Sequence, residues 1–131
     1  ELIGAGLPDD AGEDSQSFAS VLLDPDSGHQ RLPLINHGND GRYSVTDGSW
    51  KLILSSAKKH AEELYDLSND PGEDRNVAEE FPERVEQLKA AATSIVLNGR
   101  TTPGNPQMND TAYWKDLRWI SKKEYQERQK Q

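Results

Sequence analysis

The run from Glu63 to Asn76, ELYDLSNDPGEDRN, constrains the fold of this chain more than any other, because it packs a strand, a proline-fixed turn and a helix start into one short segment. Leu64, Tyr65 and Leu67 are bulky strand formers. Asn69-Asp70-Pro71-Gly72 is turn chemistry, with Pro71 pre-setting its φ and Gly72 free to take a positive one. Asn76 is placed as an N-cap with Glu79 three residues later, a capping-box variant that satisfies orphan backbone donors. Beyond it Phe81, Val85, Leu88, Ala92, Ile95 and Val96 recur at helical spacing. Such a stripe predicts a helix over about 77–98 that covers a sheet. Pro82 falls inside that span, so a kink or a fresh start is expected there. Leu97-Asn98-Gly99 is the stop signal.

The upstream half supplies the sheet. Residues 1–13 read as a connector, and Ser17 as the N-cap of a short helix through Phe18, Val21 and Leu22 that ends at Asp24-Pro25. Arg31 to Asn36 reads as a strand in which Pro33, unable to donate to a ladder, implies an edge position or a bulge. After the glycine-bearing turn Asn36–Gly41 comes a hairpin with Asp47-Gly48 as its two-residue loop. Pairing Thr46 with Ser49 sets Val45 opposite Trp50 and Tyr43 opposite Leu52 on a core face, with Arg42, Ser44, Lys51 and Ile53 on the other. The chain turns again from Ser55 to Ala61, with Lys58-Lys59-His60 at a solvated tip, and Glu62 to Leu67 adds a strand. From Arg100 to Asp110 it is rich in Pro, Gly and Asn. An aromatic cluster through Tyr113, Trp114, Leu117, Trp119 and Ile120 follows, then a charged, helical end over 122–131. The expected fold is α+β: a four-stranded antiparallel sheet with one long amphipathic helix packed on one face, plus an irregular C-terminal tail.

Only 33% of the residues are hydrophobic and 29% are charged, so the expected core is thin. A net charge of −8 argues against nucleic acid or an anionic membrane surface as partner, since both reward clustered Lys and Arg. No run approaches the ~18 apolar residues of a membrane-spanning helix. Without cysteine there is no disulfide and no thiolate chemistry. The acidic turn Asp66–Asp74 is oxygen-rich, but Pro71 stands where a calcium loop needs its glycine. Asp70 and Asn76 are therefore expected to bond the backbone, and neither a catalytic residue nor a metal ligand is assigned.

The wording of that turn, L-Y-D-L-x-x-D-P-x-E-x-x-N over Leu64–Asn76, resembles the signature near the C-terminus of sulfatases of the arylsulfatase type, in the alkaline-phosphatase-like superfamily. Two further segments are similar to the family in the same order. Asp14-Ser15-Gln16-Ser17-Phe18 with Leu22-Leu23 resembles "D-G-x-S-L…L-L", with Ser15 where Gly is usual. Asp40-Gly41-Arg42-Tyr43-Ser44-Val45 with Asp47-Gly48-Ser49-Trp50-Lys51-Leu52-Ile53 resembles "D-G-x-F-A-I-R-x-G-x-W-K-L-I". The resemblance implies a sulfatase-type C-terminal subdomain over 14–99, with 100–131 as its tail. It also implies an N-terminal catalytic domain as partner in the same chain, holding calcium and a formylglycine made within a C/S-x-P-S/A-x-R motif. Those groups lie outside this sequence, so this piece alone is expected to be inactive and to hold no cofactor. The implied substrate is a sulfate ester and the implied location is exported: periplasmic, extracellular or lysosomal.

Among the side chains, His37 with Asn39 and Asp40 is the candidate substrate-binding set, since these residues share a glycine-flexed loop that the resemblance sets at the rim of a substrate cleft. The bland reading of His37 is a turn histidine bonded to nearby backbone. His29 and His60 have weaker claims. Trp50 is read as packing, and Arg42 and Lys51 as partners for carboxylates of the catalytic domain if their face abuts it, or as ordinary surface charges if that face is open. A stand-alone binding or interaction module sharing this fold is the alternative function.

Overall fold

In the computed structural model, which describes residues 4, 6, 8–28, 31–55, 61–128 and 130, Tyr43–Asp47 (β2) and Trp50–Ile53 (β3) form the central hairpin. Leu34–His37 (β1) flanks β2 and Glu63–Asp66 (β4) flanks β3, giving an antiparallel sheet in the order β1-β2-β3-β4. The helix Ala19–Leu23 (α1) precedes the sheet, Pro82–Asn98 (α2) follows it, and Lys122–Arg128 (α3) closes the chain. The α+β architecture expected from the sequence is the one observed, with α2 packed across β2 and β3.

The hairpin register differs from the expected one by two residues. Asp47 pairs with Trp50 and Val45 with Leu52, so the loop is Gly48-Ser49 rather than Asp47-Gly48. Gly48 holds φ at 59°, which makes it the first central residue of a two-residue turn, the position where such a turn demands glycine. A shift of two preserves the faces, because side chains alternate with period two. Tyr43, Val45, Trp50 and Leu52 therefore still share the helix-facing side, and Leu54, whose N–H donates to the Tyr43 carbonyl, joins them.

The turn that opens the sequence account is held by its own carboxylates. Asp70 accepts the N–H groups of Asp74 and Arg75 at 3.0 and 2.9 Å. Asn76 Oδ1 accepts both Leu64 N–H and Ala78 N–H at 3.0 Å. Asn76 thus caps a turn and seals the outer edge of β4, but the long helix does not start there. It starts afresh at Pro82, whose missing N–H costs nothing at the first helical position. Gly99, at φ 64°, ends it in a left-handed cap.

Val45, Leu52, Leu54 and Leu64 from the sheet meet Val77 and the Val85, Leu88 and Ala92 stripe of α2 in one core. Phe81 lies at its margin, half exposed and edge-on to Trp50 at 5.4 Å. Ion pairs pin the helix at both sides of the sheet: Arg84 to Asp47 at 3.0 Å and Lys89 to Glu62 at 2.8 Å. A second cluster of Leu117, Ile120 and Tyr125 gathers the aromatic tail under the end of α2, with Trp119 shared between the two. The tail is clasped by Arg100, a buried guanidinium that donates to the carbonyls of Asp9, Thr102, Pro103 and Asn105 and pairs with the Asp9 carboxylate. The expected tip at Lys58-Lys59-His60, and His29, lie outside the described residues.

Leu88 is 1% exposed at the centre of this core. Leu88→Ala should cost about 2–5 kcal/mol in urea denaturation, and Phe81→Ala distinctly less because half of that ring already faces water.

Candidate functional site

The loop that carries His37, Asn39 and Asp40 is a tight hairpin tip. His37 pairs with Tyr43 as the last rung of β1 and β2, and Gly38 N–H then donates to the Arg42 carbonyl at 2.7 Å. Gly41 takes φ 81°, a conformation a side chain would strain. A Cβ at Gly38 would fall 2.7 Å from Asp40 Oδ1, so the closure has no room for one. The three candidate residues do come together on this tip, all exposed, but their carboxylate is committed. Asp40 Oδ1 accepts Arg42 N–H at 3.0 Å and Oδ2 pairs with Arg42 Nε at 2.6 Å. These bonds hold the Asp40 carboxyl below its ordinary range, with the Arg42 side chain as the largest cause. Asp40 shapes the loop, while His37 and Asn39 present its outer surface.

The far face of the sheet is closed by charges of this chain itself. Arg42 also pairs with Glu63 at 2.7 Å, Tyr65 Oη donates to the same carboxylate at 2.8 Å, and Lys51 Nζ reaches both oxygens of Glu73 at 2.7 Å. Arg42 and Lys51 were expected to await carboxylates from another domain; they have them already. Burial, then the Glu63 bond, pushes the Tyr65 phenol up to about 12. Glu73 holds φ at 59°, unusual for a residue with a side chain, and that turn conformation is the one from which it meets Lys51.

His37 stacks on Tyr43, ring centroids 4.4 Å apart and planes within 16°. Tyr43 in turn meets the edge of Trp119 at 5.5 Å. Reading the sequence placed Tyr43 in the core and the tail aromatics in a separate cluster. The missed feature is that Tyr43 joins them, and the one sequence signal for it was the dense Tyr113-to-Ile120 aromatic run. Beside Tyr43 a cleft of about 390 Å³ opens between the end of α2, the β1–β2 edge and the tail.

The second exposed feature is α1. Phe18, Leu22 and Leu23 are 63, 60 and 77% exposed, Val21 and Leu32 more than a third, and the helix contains no buried residue. Just ahead of it, Gln16 bonds the backbone of Leu32 twice, Oε1 accepting its N–H and Nε2 donating to its carbonyl. Among the described residues no group of three or more His, Asp or Glu side chains gathers as a metal ligand set.

No family model matches the chain. It is 32% identical to an N-acetylgalactosamine-6-O-sulfatase of Bacteroides thetaiotaomicron over 107 residues, which cover 72% of this chain and 21% of that protein. It is 38% identical to arylsulfatase K of Xenopus laevis over 64 residues, 46% of this chain and 12% of that one. A solved structure from work on the metabolism of multiple glycosaminoglycans by Bacteroides thetaiotaomicron superposes with a TM-score of 0.59 at 30% identity, covering 72% of this chain and 22% of its own. The chain belongs with the sulfatases, as a C-terminal subdomain. It spans about a fifth of the length of the first of these relatives.

The ion pair at the hairpin tip has a defined pH signature. A carboxyl whose folded-state value is depressed adds stability above its unfolded value, and that stability is lost as pH falls through the folded value. Asp40→Ala should therefore lower the thermal midpoint at neutral pH. The gap to wild type should start to close as pH nears 3.8, the ordinary value for the group, and should be gone below the depressed folded-state value. A gap independent of pH would show that Asp40 acts through something other than its charge.

Proposed function

We propose that this chain is the C-terminal subdomain of a sulfate-ester hydrolase, and that it completes the fold of a catalytic unit and forms the rim of its substrate cleft. The observation that carries this reading is α1. Phe18, Val21, Leu22 and Leu23 stand wholly or partly in water at a helix whose approach is tied by Gln16, and burying the most exposed of them would gain up to about 1.5–3 kcal/mol each. Their segment, Asp14 to Leu23, is one of the three that resemble sulfatases, and the relatives named above extend far beyond the region this chain matches. A catalytic unit of the same protein is the occupant that fits. The opposite choice, the far face of the sheet, is lined by paired charges and gains little from contact with protein.

In this reading hydrolysis is the work of the catalytic unit, through a formylglycine nucleophile and a calcium ion that it contributes. The hairpin tip contributes His37. Its imidazole N–H offers a donor to sulfate or sugar oxygens, Asn39 adds an amide, and Asp40 keeps the loop in shape through Arg42. The named relatives act on sulfated amino sugar and aryl sulfate, and a sulfated glycan is accordingly the substrate class we assign.

Expression of the complete protein that carries this sequence should give release of sulfate from sulfated glycan oligosaccharides. In it, Leu22→Asp with Leu23→Asp should lower the thermal midpoint and the activity together, while the same changes in the 131-residue chain leave its stability almost unchanged. His37→Ala should lower kcat/KM without moving the midpoint. Equal stability of the paired-Asp variant in both contexts would instead identify the chain as an independent module.

A further inference from the structure

Building on the reading of His37 as a substrate contact, we propose that Tyr43 and Trp119 are positioning residues, through which the C-terminal tail holds the His37 imidazole in one orientation. His37 and Tyr43 pair directly across β1 and β2, so their side chains leave the same face of the sheet. The imidazole lies on the Tyr43 ring with centroids 4.4 Å apart and planes within 16°, and Tyr43 meets Trp119 at 5.5 Å with the planes at 62°. His37 is exposed, whereas Tyr43 and Trp119 are only partly so and pack against both the sheet core and the tail cluster. The three rings thus run from the interior to the hairpin tip. Among the described residues no hydrogen bond fixes the imidazole, which leaves the stack to orient it. Both ring nitrogens bond in the plane of the ring, so fixing that plane fixes the directions in which His37 can donate or accept.

The inner end of the stack is anchored by the turn that carries it. Leu117 and Ile120, on either side of Trp119, are both buried, and Ile120 N–H donates to the Leu117 carbonyl at 3.3 Å. The Tyr113 hydroxyl shares its proton between the same two residues, 3.4 Å from the Leu117 carbonyl and 3.3 Å from that of Ile120. Tyr125 stands edge-on to Tyr113 at 5.6 Å and donates its own hydroxyl to the Thr111 carbonyl. Trp119 is therefore set in a closed part of the fold, while His37 is the last residue of β1 on an exposed tip. A ring stacked on a fixed ring loses less conformational freedom when it meets a ligand. A tail that lies beyond the sulfatase-like 14–99 region thereby acts on the site without touching substrate.

The test uses the complete protein that carries this sequence, labelled with ring-13C histidine, the His37 signal being the one lost in His37→Ala. In the unaltered protein the His37 ring should be as rigid as ordered backbone, with an order parameter of about 0.85, and its protons should lie upfield in the Tyr43 ring current. Tyr43→Leu should bring the order parameter below about 0.6, and Trp119→Leu should lower it part of the way. Tyr43→Leu should also lower kcat/KM at least about tenfold, since misplacement by about 1 Å can cost about a hundredfold. Tyr43→Phe, which keeps the ring, should recover most of both losses. With His37→Ala already present, Tyr43→Leu should lower kcat/KM by less than about twofold further, because residues that act through one group are not additive. An equal factor with and without His37, or a His37 ring indifferent to either Leu variant, overturns the proposal. So does an order parameter below about 0.6 in the unaltered protein, a result that requires no variant to fold. Wild-type kinetics for His37→Ala alone would instead remove the reading of His37 as a substrate contact, and the ring signals would still decide whether the tail orients it.

Discussion

One carboxamide oxygen decides how the two halves of this fold meet. Asn76 Oδ1 accepts the N–H of Leu64 in β4 and the N–H of Ala78 beyond the turn, and Val77 N–H adds a bond to the Leu64 carbonyl. An outer strand otherwise presents unpaired backbone to solvent, and here that edge is paired by the segment that leads into α2. The same bonds set the distance between sheet and helix. Val77 enters the core as the first residue after the cap, Pro82 restarts the chain as a helix, and Val85, Leu88 and Ala92 then face Leu52 and Leu64. Asp70 supports the arrangement from the other side of the turn by accepting two backbone N–H groups, which draws its own carboxyl below the ordinary range. Seen this way, the acidic residues of the turn are consumed as acceptors for the backbone, which is why so oxygen-rich a loop builds a joint.

The parts of the fold legible in the sequence are those fixed by local chemistry and period. The face assignments of β2 and β3 depend only on alternation, so they survived an error of two residues in register; the register itself depends on the backbone of Gly48, which composition does not reveal. The α2 stripe was legible through Leu88 and Ala92, but its start was displaced from about 77 to Pro82, because Asn76 found a second donor in β4 that no window of sequence around it contains. At the candidate site the limit is of the same kind. The sequence placed His37, Asn39 and Asp40 in one loop, and so does the structure. It could not show that Arg42, two residues on, takes both oxygens of Asp40, or that Tyr43 reaches across to Trp119. Contacts over such separations are products of packing.

The thinness of the core also explains how the charges are used. With few apolar residues to spare, the outer face of the sheet is covered by the stems and paired heads of Arg42, Glu63, Lys51 and Glu73, and Tyr65 is 8% exposed beneath them. Long charged side chains can shield apolar surface while their heads stay solvated. That solution leaves the apolar residues of α1 conspicuous. A chain that covers one sheet face with α2 and the other with ion pairs has the means to hide apolar surface, yet it holds Phe18, Leu22 and Leu23 outward on a helix braced by Gln16.

The bracing is the decisive point. A short apolar helix with no designated contact would be expected to collapse onto the nearest surface or to fray, since five residues are too few to be stable alone. Here its approach is tied to the strand side by two bonds between Gln16 and Leu32, and its entry segment is tied to the tail by Glu13 and Asp14, which take the backbone and hydroxyl groups of Thr101 and Thr102. Arg100 closes the same junction from inside through Asp9. The polar bonds therefore engage Glu13, Asp14 and Gln16 and leave Phe18, Leu22 and Leu23 exposed, as expected of the surface we propose to meet the catalytic unit. Preorganisation of that kind would lower the ordering cost of such a contact, and its bonds are shared with the cleft beside Tyr43, whose wall includes Arg100, Thr101 and Asp14.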